Sequence, residues 1–156
     1  MDRALFERVM ADPAFEGALT GIPYAEFLGL RLRREGDRVL THLPYNDTLI
    51  GSPAPRRLHG GAVGAVLELA ATFQLLLEIG REGGLPDRLP KPIGMTTEYL
   101  RGGEPMALFA DARVARQGRR IANVRAQAWQ DREGDPIAAG LMHFMIPDQG
   151  EQTTEK

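Results

Sequence analysis

Residues 62–79 form a nearly continuous apolar stretch that reads as one long buried helix, holding two acids, Glu68 and Glu78, and no base. A helix with this little polar surface needs other elements packed around it. At its head stands Leu58-His59-Gly60-Gly61, a flexible turn offering the unpaired N–H groups of a helix N-terminus. Glu68 lies between Leu67 and Leu69, where an ionised carboxylate is costly unless something satisfies or uses it.

The surrounding pattern supplies a sheet. Residues 2–11 predict an amphipathic helix ending at Asp12-Pro13, and residues 22–28 a short helical turn released by Gly29. Residues 30–33 and 38–43 alternate as strands about a turn at 35–37, while 44–57 carry too much Pro, Gly, Asn and Ser for regular structure and predict an ordered loop. The central helix, from about residue 60 to 79, should stop near Gly80, with a second loop over 81–92. Segments 95–100, 106–115, 120–130 and 136–146 read as further strands separated by turns. This order predicts an α+β fold with the helix packed on one face of an antiparallel sheet of five to six strands. Its parts are an N-terminal helical segment (1–19), one main domain (20–147) and a disordered tail (148–156). Small residues recur in the helix at Gly60, Gly61, Ala62, Gly64, Ala65, Ala70, Ala71 and Thr72, for tight packing within one chain or for contact with a second copy.

Composition excludes several function classes. With 156 residues, 26% charged, 43% hydrophobic and a net charge of -2, the chain suits one globular domain and offers no electrostatic case for nucleic acid or an anionic membrane. Without cysteine there is no disulfide, thiolate site or cysteine nucleophile, which fits a reducing compartment. The N-terminus lacks the apolar run of a signal peptide, and no stretch reaches 18 uninterrupted apolar residues, so a cytoplasmic protein is expected. His42 and His143 lie in separate strands without a second ligand at metal-binding spacing, and no metal is expected.

The His59-Gly60-Gly61 turn, an acid nine positions after the histidine and the later Glu98-Tyr99-Leu100-Arg101 segment together resemble the hotdog-fold acyl-CoA thioesterases of the phenylacetate-degradation (PaaI-like) type. The resemblance covers roughly residues 20–146. It implies a hotdog fold, acyl-CoA as substrate and no cofactor, with the Gly60 N–H polarising the thioester carbonyl and Glu68 acting as nucleophile or general base. It also implies a polar helper ahead of the turn, where Ser52 and Asn46 stand, and a hydroxyl on the later strand, where Thr96 and Thr97 stand.

The chemistry agrees with these residue types. A tetrahedral intermediate places charge on the carbonyl oxygen, which amide donors at a helix head stabilise, and Gly60 and Gly61 let a substrate approach the backbone. A carboxylate in apolar surroundings is a better base. His59 lies about half a turn from Glu68 on a helical wheel and reads as an anchor of the turn rather than a proton carrier. Arg101, with Arg116, Arg119 and Arg120, stands at a turn where a guanidinium suits the phosphates of coenzyme A or is simply solvated. Eight to nine residues of helix rise about 12 to 13 Å, too far for one carbonyl to touch both Gly60 and Glu68 of the same chain. A homodimer with antiparallel central helices would bring the glycine head of one chain to the acid of the other, and a dimer of dimers could build on it. The competing readings are a non-catalytic acyl-CoA-binding module and an acyl thioester dehydratase or hydratase.

Overall fold

The computed structural model describes residues 3–84, 86 and 88–147. Its elements are α1 (Arg3–Ala11), β1 (Glu16–Ala18), α2 (Pro23–Leu28), β2 (Arg31–Glu35), β3 (Arg38–Leu43), a 3-10 turn (Asp47–Leu49), β4 (Ile50–Pro53), β5 (Arg56–Leu58), α3 (Gly60–Gly83), β6 (Lys91–Tyr99), β7 (Leu108–Gln117), β8 (Ile121–Trp129) and β9 (Ala138–Met145). The expected tail at 148–156 lies outside the described residues.

Seven strands form one antiparallel sheet in the order β1-β2-β3-β7-β8-β9-β6, and α3 packs against β3, β7, β8 and β9. This is the hotdog arrangement. It follows from alternation along each strand: β8 turns Ala122, Val124, Ala126 and Ala128 inward, and β9 turns Ala138, Met142 and Phe144 inward. The many inward alanines let the helix sit close to the sheet. By length and apolar composition α3 could cross a membrane, yet most of it is buried within this fold.

Two buried polar contacts fix the height and rotation of α3. Gln74, 5% exposed, accepts the Val39 N–H through Oε1 at 2.9 Å and donates from Nε2 to the Asp37 carbonyl at 3.0 Å. The Thr41 hydroxyl lies 3.3 Å from the carbonyl oxygens of both Val66 and Ala110, between helix and sheet. α1 covers one end of the core through Leu5, Phe6 and Val9, with Phe6 stacked 6.3 Å from Phe73 of α3.

The structure departs from the sequence reading in four places. The stretch 44–57 is not all loop: β4 and β5 pair as a small hairpin, held by the Leu58 N–H to Gly103 and the His59 N–H to Leu49. α3 runs through Gly80 to Gly83, because one interior glycine costs a helix only about 1 kcal/mol; the stop is Gly84, whose φ of 84° suits glycine and whose N–H reaches back to Gly80. β6 begins at Lys91 rather than residue 95, with Pro92 accommodated on an edge strand beside an irregularity in register. β1 was not expected; it adds the seventh strand by pairing Glu16, Gly17 and Ala18 with β2.

Replacing Gln74 by Leu would leave the Val39 N–H and the Asp37 carbonyl without this partner. A loss of about 2 kcal/mol is expected, and with it a fall in Tm of roughly 5 °C in a thermal melt at this chain length. An unchanged Tm would show that Gln74 does not fix the helix.

Candidate functional site

The head of α3 satisfies its amides unequally. The Ala62 and Val63 N–H groups both donate to the His59 carbonyl, at 3.0 and 3.2 Å, and the Gly61 N–H donates to His59 Nδ1 at 2.9 Å. The Gly60 N–H has no partner among the described residues. Of the two glycines expected as donors, Gly60 is therefore free to bind a ligand, whereas Gly61 is engaged by the imidazole. His59 is the N-cap, which requires Nδ1 to be unprotonated. Its backbone is pressed against β4: a Cβ at Gly51 would fall 2.7 Å from His59 Cα.

Two turns along, Glu68 is half-buried, and its carboxylate has no hydrogen-bond or ion-pair partner among the described residues. It shares a stripe with Gly61, Gly64, Ala65 and Leu69, residues three and four apart that their own chain leaves incompletely covered. The apolar enclosure expected around Glu68 is thus only half supplied by the single chain. The small residues at 64 and 65 leave room there for another backbone.

β6 overhangs the same side of the helix. Tyr99 donates its hydroxyl to the Gly60 carbonyl at 2.9 Å, and Met95 Cε lies 3.8 Å from where a Cβ on Gly64 would stand. Strand alternation puts Thr97 on this inner face with Met95 and Tyr99, and Thr96 on the outer one. Thr96 lines an open trough of about 660 Å³ with Glu98, Arg113 and Arg125 on the side of the sheet away from α3. Of the two expected threonines, Thr97 is the one on the glycine turn's side. Tyr99 was not singled out by sequence reasoning, although the Tyr-Leu-Arg segment and its two-residue spacing from Thr97 held the signal.

The remaining candidates are committed elsewhere or stand apart. Asn46 caps the 3-10 turn, accepting from the Thr48 N–H at 2.9 Å and from the Thr48 hydroxyl, so its amide oxygen serves the loop. Ser52 is half-buried on β4 opposite Arg57. The Arg101 guanidinium pairs with Asp135 at 2.9 Å and donates to the Asp135 carbonyl, which ties the end of β6 to the approach to β9. His42 stacks on Phe109 with ring centres 4.6 Å apart, and burial, then Arg31, holds its pKa below the usual imidazole value. His143 Nδ1 lies 2.6 Å from Asn123 Oδ1. Among the described residues no group of three His, Cys, Asp or Glu side chains is placed to hold a metal.

The family described as acyl-CoA thioesterase N-terminal domain matches residues 51–145. Among solved structures, a Chromobacterium violaceum protein is 29% identical with a TM-score of 0.64, over 96% of this chain and 94% of its own. A phenylacetic acid degradation-related protein from Ralstonia eutropha is 20% identical with a TM-score of 0.70, over 90% of this chain and 98% of its own. A Bacillus halodurans protein solved with CoA is 23% identical with a TM-score of 0.57, over 68% of this chain and 65% of its own. The last two likenesses show the shared fold. No curated protein matches the chain.

The capping role of His59 separates two variants. His59→Ala should cost about 1 kcal/mol and lower Tm by roughly 2–4 °C. His59→Asn, which keeps an acceptor at the cap, should hold both Tm and any turnover near wild type. A collapse of turnover in His59→Asn with Tm unchanged would mark the imidazole as a proton carrier.

Proposed function

We propose, from the premise that this chain belongs to the acyl-CoA thioesterase N-terminal domain family, that it hydrolyses an acyl-CoA thioester to the free acid and coenzyme A. The observation that carries the reading is the coexistence, on one side of α3, of a Gly60 amide and a Glu68 carboxylate that have no partner among the described residues. An amide at a helix head stabilises the charge that gathers on the thioester oxygen. A carboxylate free of ion pairs can either attack the acyl carbon or draw a proton from water as it attacks. Water is then the only co-substrate, and no cofactor is called for. The bound CoA in the Bacillus halodurans protein of the same fold supports coenzyme A as the leaving group.

The two groups are eight residues apart, about 12 Å along the helix axis, so one carbonyl does not reach both within a chain. The reading therefore includes a second copy. Its α3 would lie antiparallel against the Gly61, Gly64, Ala65, Glu68, Leu69 stripe, so that each Gly60 faces the partner's Glu68 across one acyl group. The exposed edge of β6, with Ile93 and Met95 at its surface, suits continuation of the sheet into that copy.

The Gly61 N–H on His59 Nδ1 counts against the dehydratase or hydratase reading, which needs a histidine beside an acid. A non-catalytic acyl-CoA-binding module remains the contrast, favoured by an Asn46 turned to its own loop. Glu68→Gln decides between them: it should lower thiol release from acyl-CoA by about 10² or more, with fold and CoA binding retained. A protein that binds acyl-CoA but releases no thiol would be the binding module.

Cross-subunit assembly has its own test. Gly60→Pro removes the free donor and suits the first helical position of the backbone, since His59 is already extended at ψ 129°, although Tyr99 must give by a few tenths of an ångström to admit its Cβ; its expected loss is about 10²–10³-fold. When Gly60→Pro and Glu68→Gln chains are refolded together, half the dimers carry one intact site, and thiol release should recover to about a quarter of wild type. Two inactive variants that stay inactive after mixing would place donor and acid in one chain.

A further inference from the structure

We infer that Tyr99 is a positioning residue for the Gly60 amide, and that the Tyr-Leu-Arg segment is a brace holding the donor at the head of α3. The inference rests on the hydrolase reading for its catalytic consequence but on the geometry alone for the brace.

Tyr99 is 58% exposed, so its hydroxyl has water available, yet it donates to the Gly60 carbonyl at 2.9 Å. The ring end lies so close that a Cβ on Gly60 would meet Tyr99 Cζ and Oη at 3.2 Å. Both peptide planes flanking the free amide are thereby tied. The plane that includes the Gly60 N–H is held through the His59 carbonyl, which accepts from Ala62 and Val63. The next plane is held at both ends, by the Gly61 N–H on His59 Nδ1 and by the Gly60 carbonyl on Tyr99. Without Tyr99, that second plane keeps the imidazole contact and the helix's own bond to the Gly60 carbonyl, but it lies at a glycine-glycine pair, where backbone freedom is greatest.

Tyr99 itself is anchored from behind. The Leu100 and Arg101 N–H groups donate to the Ile137 carbonyl at 2.8 and 3.1 Å, and the Arg101 guanidinium holds Asp135. The segment thus ties the start of β9 to the head of the helix through one phenol. An oxyanion donor works by being oriented before charge develops, and a small misplacement of such a group lowers the rate steeply.

Tyr99→Phe keeps the ring and deletes the hydrogen bond. We expect kcat for thiol release to fall by about ten- to a hundredfold while KM stays within twofold. We also expect the backbone amide resonances of Gly60 and Gly61 to shift while those from Gln74 to Ile79 stay in place. A purely packing role would leave kcat unchanged, and a role in substrate binding would move KM instead; either result overturns the inference, as do unmoved Gly60 and Gly61 resonances. If the wild-type chain releases no thiol from any acyl-CoA, the hydrolase reading fails, and the resonance shifts alone then decide whether Tyr99 braces the turn.

Discussion

The fold depends on enclosing one apolar helix within a single sheet. A helix presents its surface all round, whereas a sheet curled about it covers only part of that surface. β3, β7, β8 and β9 bury Val66, Leu67, Ala70 and the run from Phe73 to Leu77, and α1 covers one end through Phe6. What is left is the stripe holding Gly61, Gly64, Ala65, Glu68 and Leu69. It carries glycine, alanine, leucine and one acid with no partner among the described residues.

The same accounting at the helix head gives the site its polarity. Helix N-termini leave early amides without intrahelical acceptors. The His59 carbonyl and imidazole take three of them, at Gly61, Ala62 and Val63, and leave the Gly60 N–H open. The Tyr99 hydroxyl then occupies the Gly60 carbonyl, so the residue with the open donor has its own acceptor held. The arrangement is asymmetric, and the asymmetry suits an incoming carbonyl oxygen, which needs a donor and repels acceptors.

Much of this was legible in the sequence because the signals are local and strong. The run at 62–79 allowed little except a buried helix, alternation marked β2, β3, β7, β8 and β9, and the glycine pair after His59 fixed where the helix begins. The missed features depend on contacts between distant residues. β1 is three residues long and becomes a strand only because Arg31, Leu32 and Arg33 of β2 stand beside it. The β4–β5 hairpin has turn-like composition and is held by partners at Leu49 and Gly103. At the site, the resemblance singled out Gly60 and Glu68, but the commitment of Gly61 to the imidazole, of Asn46 to its loop and of Tyr99 to the Gly60 carbonyl requires three-dimensional placement. Thr96 and Thr97 are equivalent as letters; only the register of β6 against β9 puts the second on the helix side.

The separation of donor and acid has a physical rationale of its own. A glutamate within the first turn of α3 would fold back onto the free amide, as capping glutamates do, and each group would satisfy the other. Two turns of helix prevent that contact while keeping both groups on the side of α3 that β6 overhangs. Neither has a partner among the described residues, so both are left open to a complementary group. On the proposed reading, an antiparallel second helix would return them to facing positions without letting them touch, with the acyl carbon and its oxygen filling the gap. On that reading, dimer and substrate are two parts of one requirement.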